Sequence, residues 1–304
     1  MAKIYAKPPL TFDQQLDLLI SRGMVVDDRD QARRILGFTS YYRLSGYWYP
    51  FRIHSVCGTT TDQFQPGSHL AEAITLYEFD RNLRLLVMDA IERVEIAIRA
   101  QITYRLAHTY GTFAHTDPVN FQSGFRHGEW LAGIEKEAQR STEPFIRRFK
   151  NTYQGFPTLP IWMATEVMSF GALSILFKGM KNPDRQAVSR HFTIHHMRFG
   201  DNLHVLTYIR NICAHHGRLW NRELAIKPHR GNNAYWQPPL TPRHDRIFYA
   251  LLILGELLAK MGTGAQWQQQ CTQLISPIAA HEPWRKSMGL PEKWEAHPLW
   301  RMTP

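Results

Sequence analysis

Cysteine is scarce in this chain, and its scarcity limits the redox and metal chemistry that the protein can carry. The 304 residues include three cysteines, which are Cys57, Cys213 and Cys271. An odd number of widely spaced cysteines predicts neither a disulfide framework nor a Cys-x-x-Cys metal site. We therefore expect the protein to work in a reducing compartment, the cytoplasm.

Long apolar runs are also missing. The strongest run, Ile247 to Leu258, is interrupted by Gly255 and Glu256 and is shorter than the roughly 20 apolar residues of a membrane-spanning helix. Residues 1–9 lack an apolar core of the length found in signal peptides. These absences predict an intracellular protein without a membrane partner.

Acidic residues are fewer than basic ones. Lysine and arginine together number 36 against 26 for aspartate and glutamate, which gives a formal net charge of +10 and a pI near 9.6. This excess favours polyanionic partners and is compatible with RNA, although charge alone does not separate RNA from DNA. A soluble basic protein without a nucleic-acid partner is the alternative. A hydrophobic fraction of 44% excludes full disorder and is sufficient for a buried core.

Alternating strand patterns are rare, whereas helical patterns fill most of the chain. Apolar residues recur at three- and four-residue steps from Leu70 to about Ala107, which predicts a long helix with one buried face. We expect this helix to break at the charged segment Glu78-Phe79-Asp80-Arg81. The glycines, threonines and proline of residues 55–68 predict a loop or a short hairpin.

Glycine and proline divide the rest of the chain into shorter helices. Between Tyr110 and Pro160 only short helices fit, near residues 128–140 and 143–151. A strongly apolar helix is predicted for His244 to Met261 as a member of a bundle. The pattern predicts an all-α fold with a helical-bundle core.

The predicted domain organisation has three parts. They are an N-terminal helical cap (1–67), a helical core (68–262) and a C-terminal extension packed on the core (263–304). Tryptophans recur in the extension, which predicts that it docks on the same chain.

An aromatic cluster with interleaved arginines lies between residues 41 and 51. Its members are Tyr42, Arg43, Tyr47, Trp48, Tyr49 and Phe51. Such a cluster is typical of a packed helical cap, but aromatic rings beside arginines also stack on bases and bind phosphates. Both interpretations are open at this point.

The densest stretch of functional side chains runs from Arg210 to Arg222. It contains two histidines, three arginines and two asparagines, and apolar residues spaced as on a buried helix face precede it. Asn211 and His215 are one helical turn apart on the same face, and the long side chain of Arg210 reaches that face from its edge. A guanidinium, an amide and an imidazole suit a phosphodiester, because they bind its oxygens, orient it and move a proton near neutral pH.

A structural interpretation competes with this one. Histidine and arginine near a helix C-terminus are also favoured by the helix dipole and by the free carbonyl groups, although this does not explain Asn211.

His191 and His195 have the one-turn spacing of metal ligands. No acidic residue lies between them, so we expect surface or packing histidines and no metal or cofactor.

The run Arg210, Asn211 and His215 resembles the Arg-x4-6-His signature of HEPN ribonucleases, and the fuller Arg-Asn-x-Cys-Ala-His resembles the Abi-like (AbiD/AbiF) abortive-infection family. Three further stretches occur in the order expected for that family, and the resemblance covers roughly residues 10 to 225. They are Tyr41-Tyr42-Arg43-Leu44-Ser45-Gly46-Tyr47, Phe79-Asp80-Arg81-Asn82-Leu83-Arg84, and Pro160-Ile161-Trp162 with Ser169-Phe170-Gly171.

The resemblance implies a HEPN-like helical bundle and a bacterial antiviral defence protein that cleaves RNA. Cleavage by the neighbouring 2′-hydroxyl needs an acid, a base and cations but no metal. We predict His215 as acid or base, Arg210 as the phosphate clamp and Asn211 as the orienting residue. The predicted substrate contacts are His216, Arg218, Arg222 and Arg43.

The resemblance also implies partners. HEPN relatives build composite sites across a twofold interface, so a homodimer that joins two copies of residues 210–222 is predicted. A toxic activity implies an antitoxin, either RNA or protein. The alternatives are a non-catalytic protein that binds RNA or senses a phage component, and a nuclease that acts on DNA or requires a metal.

Two carboxylates are predicted to support the site. Glu92 and Glu95 lie about one turn apart near the apolar face of the long helix. Our hypothesis is that one of them pairs with Arg210 and fixes its guanidinium. The alternative is that both are solvated surface side chains.

Overall fold

The computed structural model describes residues 6–54 and 60–301. Within these residues the chain is mostly helical, and its strands form a two-stranded antiparallel sheet. The predicted all-α class is therefore confirmed. The chain divides into two compact units, one up to Asn82 and one from Leu83 onwards.

The N-terminal unit contains short helices, a hairpin and the start of a long helix. In chain order the elements are α1 (Phe12–Ser21), α2 (Arg29–Thr39), α3 (Tyr41–Trp48), β1 (Arg52–His54), β2 (Thr60–Phe64) and α4 (Leu70–Tyr110). Thr11 begins α1 with a capping box, because its side chain accepts from the backbone N–H of Gln14 while the Gln14 side chain accepts from the backbone N–H of Thr11. The two strands confirm the hairpin, whose residues 55–59, with Cys57, lie outside the described residues.

Helix α4 is continuous over 41 residues, so the predicted break at Glu78–Arg81 is wrong. No glycine or proline occurs in it before Gly111, which has a φ of +91° and follows its last turn. The charged segment does not interrupt the helix because Asp80 is fully buried and its Oδ2 accepts a hydrogen bond from the Tyr47 hydroxyl at 2.7 Å. The division between the two compact units nevertheless falls directly after this segment.

The C-terminal unit contains the remainder of α4 and nine further helices of the described chain. They are α5 (His127–Arg140), α6 (Pro144–Thr152), α7 (Ile161–Val167), α8 (Phe170–Gly179), α9 (Asn182–Arg190), α10 (His196–Ala214), α11 (Ile247–Lys260), α12 (Gly264–Ala279) and α13 (Glu282–Ser287). Helices α5 and α6 match their predicted ranges closely. Helix α10 packs against α8, α9 and α11, and almost all of α11 is buried.

The residues after α11 pack within the C-terminal unit. The indole N–H of Trp267 donates to the backbone carbonyl of Leu86 at 2.8 Å, and that of Trp300 donates to the Thr272 hydroxyl at 2.9 Å. The division into 1–67, 68–262 and 263–304 stays a prediction beside these two units. In residues 6–54 and 60–301, no helix combines the length and the apolar character needed to cross a membrane.

Candidate functional site

The candidate site lies at the C-terminal end of α10. Leu203, Leu206 and Ile209 are fully buried and fix the helix in the core, which confirms the apolar spacing that precedes the motif. Asn211 and His215 are exposed, and the backbone N–H of His215 donates to the carbonyl of Asn211 at 3.0 Å. The amide and the imidazole therefore lie one turn apart on the outer face of a helix whose inner face is buried.

Helix α10 ends at Ala214, and His216 rather than Gly217 takes the left-handed position of its terminus. His216 takes the left-handed conformation, with φ +55°. Its N–H donates to the carbonyl of Cys213 at 3.0 Å, and the N–H of Gly217 donates to that of Ile212 at 2.8 Å. This is the hydrogen-bond pattern of a Schellman motif, in which glycine usually takes the left-handed position. His216 is exposed there, beside His215.

Gly217 is needed for a close approach in the same turn. A Cβ at this position would lie 3.1 Å from Cγ2 and 3.2 Å from the carbonyl oxygen of Ile212. From α4, the buried Arg84 directs Nη1 toward the carbonyl oxygen of Gly217, at 3.5 Å. Arg84 belongs to one of the motif stretches but was not predicted as a site residue; a buried arginine is rare unless it has partners.

Arg210 lines a groove of about 550 Å³ together with one face of α4. The α4 residues of the groove are Leu85, Met88, Asp89, Ile91, Glu92, Glu95, Ile96 and Arg99. Arg210 is half-buried, and its Nη1 lies 3.5 Å from Oδ1 of Asn211. The structure therefore brings Arg210 into one groove with both carboxylates that were predicted to support it.

The predicted ion pair between Arg210 and Glu95 is not formed. Oε1 of Glu95 instead accepts from Nη2 of Arg99 at 2.7 Å. Arg99 also donates to the backbone carbonyls of Thr165 and Met168, at the end of α7. Glu92 is exposed at the groove, and in the part of the chain that the structure describes neither carboxylate makes an ion pair with Arg210. Arg99 is a residue that the sequence reasoning missed, although its spacing four residues after Glu95 was the available signal.

Arg218 and Arg222, predicted as substrate contacts, are both half-buried. Nε of Arg222 donates to the backbone carbonyl of Arg218 at 2.8 Å. This hydrogen bond joins the two ends of residues 218–222, the segment that follows the left-handed turn. Nη2 of Arg222 lies 3.7 Å from the position that a Cβ on Gly217 would take, so this side chain is beside the end of the helix.

The sequence profile of a family described as Abi-like protein matches residues 34–221. The chain belongs to this family. The match includes all four stretches on which the resemblance was based. Membership suggests a role in abortive-infection defence. Comparison with curated proteins and with solved structures gives no match.

Arg43 lies in the N-terminal unit of the Abi-like protein, on α3, and is exposed. The aromatic cluster around it is divided between the core and the surface. Tyr47 and Trp48 are buried in the core of the unit, whereas Tyr42 is 89% exposed. The packed members hold the helix, whereas Tyr42 and, to a smaller extent, Tyr49 face solvent.

His191 and His195 of the Abi-like chain are both exposed. The His195 ring lies 4.5 Å, centroid to centroid, from the ring of His196. Burial lowers the pKa of His196, and the nearby charge of Arg185 adds to this effect. In the two described ranges, no three histidine, cysteine, aspartate or glutamate side chains come together as a metal site.

Proposed function

We propose that this Abi-like protein is a metal-independent endoribonuclease of abortive-infection defence. The observation that carries the proposal is the end of α10, where one helical turn offers an exposed imidazole, an exposed amide and a guanidinium at the rim of a groove. These groups are the acid or base, the orienting group and the phosphate clamp that RNA cleavage needs. Family membership and the basic charge support the same proposal.

The proposed reaction uses the nucleophile that RNA itself supplies. A base removes the proton of a 2′-hydroxyl, and the 2′-oxygen attacks the adjacent phosphorus. The bond from phosphorus to the 5′-oxygen breaks, and an acid gives that oxygen a proton. The products are a 2′,3′-cyclic phosphate and a 5′-hydroxyl. Arg210 stabilises the charge on the phosphate oxygens, and Asn211 orients the phosphate or the imidazole of His215.

The proposed active form is a homodimer. Acid and base must act on opposite sides of the phosphorus, and a second copy of His215 supplies the second group. On the α4 face of the groove, the apolar side chains of Leu85 and Ile96 are 56% and 58% exposed. A second subunit that covered them would bury this apolar surface and bring the two α10 ends together. An antitoxin, RNA or protein, would restrain such an enzyme in the cytoplasm.

Cleavage is tested by incubating the pure protein with end-labelled RNA in the presence of a chelator. We expect products that end in a 2′,3′-cyclic phosphate. His215→Ala should lower the rate by about 10²- to 10⁴-fold because proton transfer is lost. The matched control is His204→Ala, which removes another exposed histidine of α10 and should leave the rate unchanged.

Each contrary result points to a different alternative. Loss of cleavage in chelator indicates a metal-dependent nuclease. RNA binding without cleavage by the wild-type protein indicates a binding or sensing protein, and cleavage by His215→Ala at the wild-type rate contradicts the assigned role of this residue.

The dimer is tested by light scattering after size-exclusion chromatography. Ile96→Arg places a charge on the apolar part of the groove and should yield a monomer with little cleavage activity. The control Ile175→Arg changes a similarly exposed isoleucine on α8 and should keep the dimer. A wild-type protein that is monomeric while it cleaves RNA would contradict the shared site.

A further inference from the structure

Two aromatic side chains of the N-terminal unit are almost completely exposed. Phe38 near the end of α2 is 94% exposed and Tyr42 in the first turn of α3 is 89% exposed. Burying such rings is normally worth more than burying any other side chain. Two of them in solvent within five residues of sequence therefore mark a surface that is used for binding.

The two helices that carry the rings are connected by a single residue with an unusual backbone. Ser40 has φ +67° and ψ 145° and serves as the C-cap of α2 and the N-cap of α3. Its N–H donates to the carbonyl of Leu36 at 3.0 Å, and its Oγ accepts from the N–H of Arg43 at 3.3 Å. A residue other than glycine holds this conformation only where the surrounding structure demands it. The junction therefore fixes the direction in which α3 leaves α2.

The short chain between the two residues suits a flexible polymer. The four peptide units from Phe38 to Tyr42 allow their Cα atoms to lie at most about 14 Å apart. Bases stacked in one strand of a nucleic acid repeat at about 3.4 Å, so a few unpaired nucleotides can reach from one ring to the other.

Cationic side chains accompany both rings. Arg34 precedes Phe38 by one turn on the same face of α2, and Arg43 directly follows Tyr42; both are exposed. Arg34 makes no ion pair with any residue of the described ranges. Arg33, by contrast, lies on another face with its Nε 3.5 Å from a carboxylate oxygen of Asp13. The charge of Arg34 therefore remains available to phosphate groups.

We propose that Phe38 and Tyr42, with Arg34 and Arg43, form a platform that binds single-stranded RNA. Unpaired bases stack on the two rings, and the arginines contact the phosphates between them. A duplex does not bind in this way because its base faces are covered by neighbouring pairs. The inference rests on the proposed function and extends it, since it names unpaired RNA as the substrate class.

The experiment measures binding apart from cleavage. Fluorescence anisotropy follows a labelled oligouridylate that is titrated with the full-length His215→Ala protein, which binds RNA without cutting it. Phe38→Ala and Tyr42→Ala should each weaken binding by roughly tenfold, as expected for the loss of one stacked base. Phe38→Tyr with Tyr42→Phe should restore the affinity because both rings remain. Arg34→Gln should reduce the dependence of affinity on salt by about one counterion.

The matched control is Tyr104→Ala, which removes a 64% exposed ring on α4 and should leave the affinity unchanged. All these positions are exposed, so the variants should keep the wild-type unfolding temperature. A duplex of the same length should bind equally well to the platform variant Phe38→Ala/Tyr42→Ala and to the protein with both rings.

Three results would overturn the platform. In the first, the double alanine variant binds unpaired RNA as tightly as the protein with both rings does. In the second, the protein with both rings does not bind unpaired RNA. In the third, the variant still binds RNA but no longer binds a protein partner. Failure of the proposed function looks different. If unpaired RNA binds through the rings but the wild-type protein does not cut it, the platform stands and the ribonuclease does not. If the wild-type protein cuts RNA but its RNA affinity does not change when both rings are removed, the ribonuclease stands and the platform does not.

Discussion

Ser40 and His216 are two junction residues of this Abi-like protein that take a backbone conformation that favours glycine, as Thr193 before α10 also does. Ser40 joins α2 to α3 with φ +67°, and His216 follows α10 with φ +55°. The side chain of Ser40 has a structural task, because its Oγ caps α3. At His216 the turn is held by backbone hydrogen bonds from His216 and Gly217, which glycine would form equally well. The cap explains the serine at the first junction, whereas the backbone hydrogen bonds at the second do not depend on the residue type.

The surroundings of the two junctions differ as well. Gly37, before the first junction, has room for a side chain, since a Cβ there would lie 3.8 Å from the Phe12 ring. Gly217, in the second junction, has almost none. The first junction is open and presents aromatic rings, whereas the second is tightly closed and presents imidazoles. The closed junction should tolerate change less well.

Among the substitutions that test this comparison, the largest expected effect on stability is at Gly217. Gly217→Val would push against Ile212 and should destabilise the protein by about 2 kcal/mol, because an overpacked site must shift its backbone. Gly37→Ala is the matched change at the open junction, and it should stabilise α2 by about 0.5 to 1 kcal/mol. Chemical denaturation of both variants measures the difference. Equal effects of the two changes would show that the junctions do not differ in packing.

A smaller effect of opposite sign is expected at His216. His216→Gly should raise the free energy of unfolding by about 1 kcal/mol, because it relieves the left-handed backbone. It should also slow RNA cleavage because an imidazole beside His215 is lost. A stabilised variant with lower activity supports a functional reason for the histidine. If cleavage continues at the wild-type rate, His216 has no part in substrate contact.

The smallest effect is expected at Ser40. Ser40→Gly relieves the backbone in the same way but removes the cap of α3, for which glycine is a slightly poorer residue than serine. The two contributions oppose each other, so the free energy of unfolding should change by less than about 0.5 kcal/mol. Thermal unfolding, followed by circular dichroism, is the measurement. A gain as large as that at His216 would mean that the Ser40 cap contributes nothing.

The sequence predicted those parts of the fold that depend on neighbouring residues. The ranges of α5 and α6 and the hairpin before α4 follow from local signals, namely glycine, proline and threonine. The buried face of α10 also followed from its periodicity. These features need no knowledge of the rest of the chain.

Features that depend on distant residues were beyond the sequence. The expected break in α4 was wrong because Asp80 is buried against Tyr47, which lies on a different helix. Glu95 pairs with Arg99 rather than with Arg210. This pairing depends on carbonyl groups at the end of α7, which accept hydrogen bonds from the guanidinium of Arg99. For the same reason, sequence could not divide the aromatic cluster into buried Trp48 and exposed Tyr42.

The candidate site itself was located by sequence, but its shape was not. The motif and its helical spacing placed Asn211 and His215 on one face. They could not show that His216 would take the left-handed position, since glycine follows it and is the usual choice. The groove beside Arg210 likewise depends on how α4 packs against α10.

The continuity of α4 has a practical consequence for anyone who wishes to shorten this protein. A gene cut between Asn82 and Leu83, where the compact units divide, would open the helix in the middle of a turn. The truncated end would leave about four backbone N–H groups without acceptors, and it would begin one residue before Arg84, whose guanidinium supports the turn at Gly217. A fragment meant to keep the α10 site should therefore start before Leu70, so that the whole helix is translated with it.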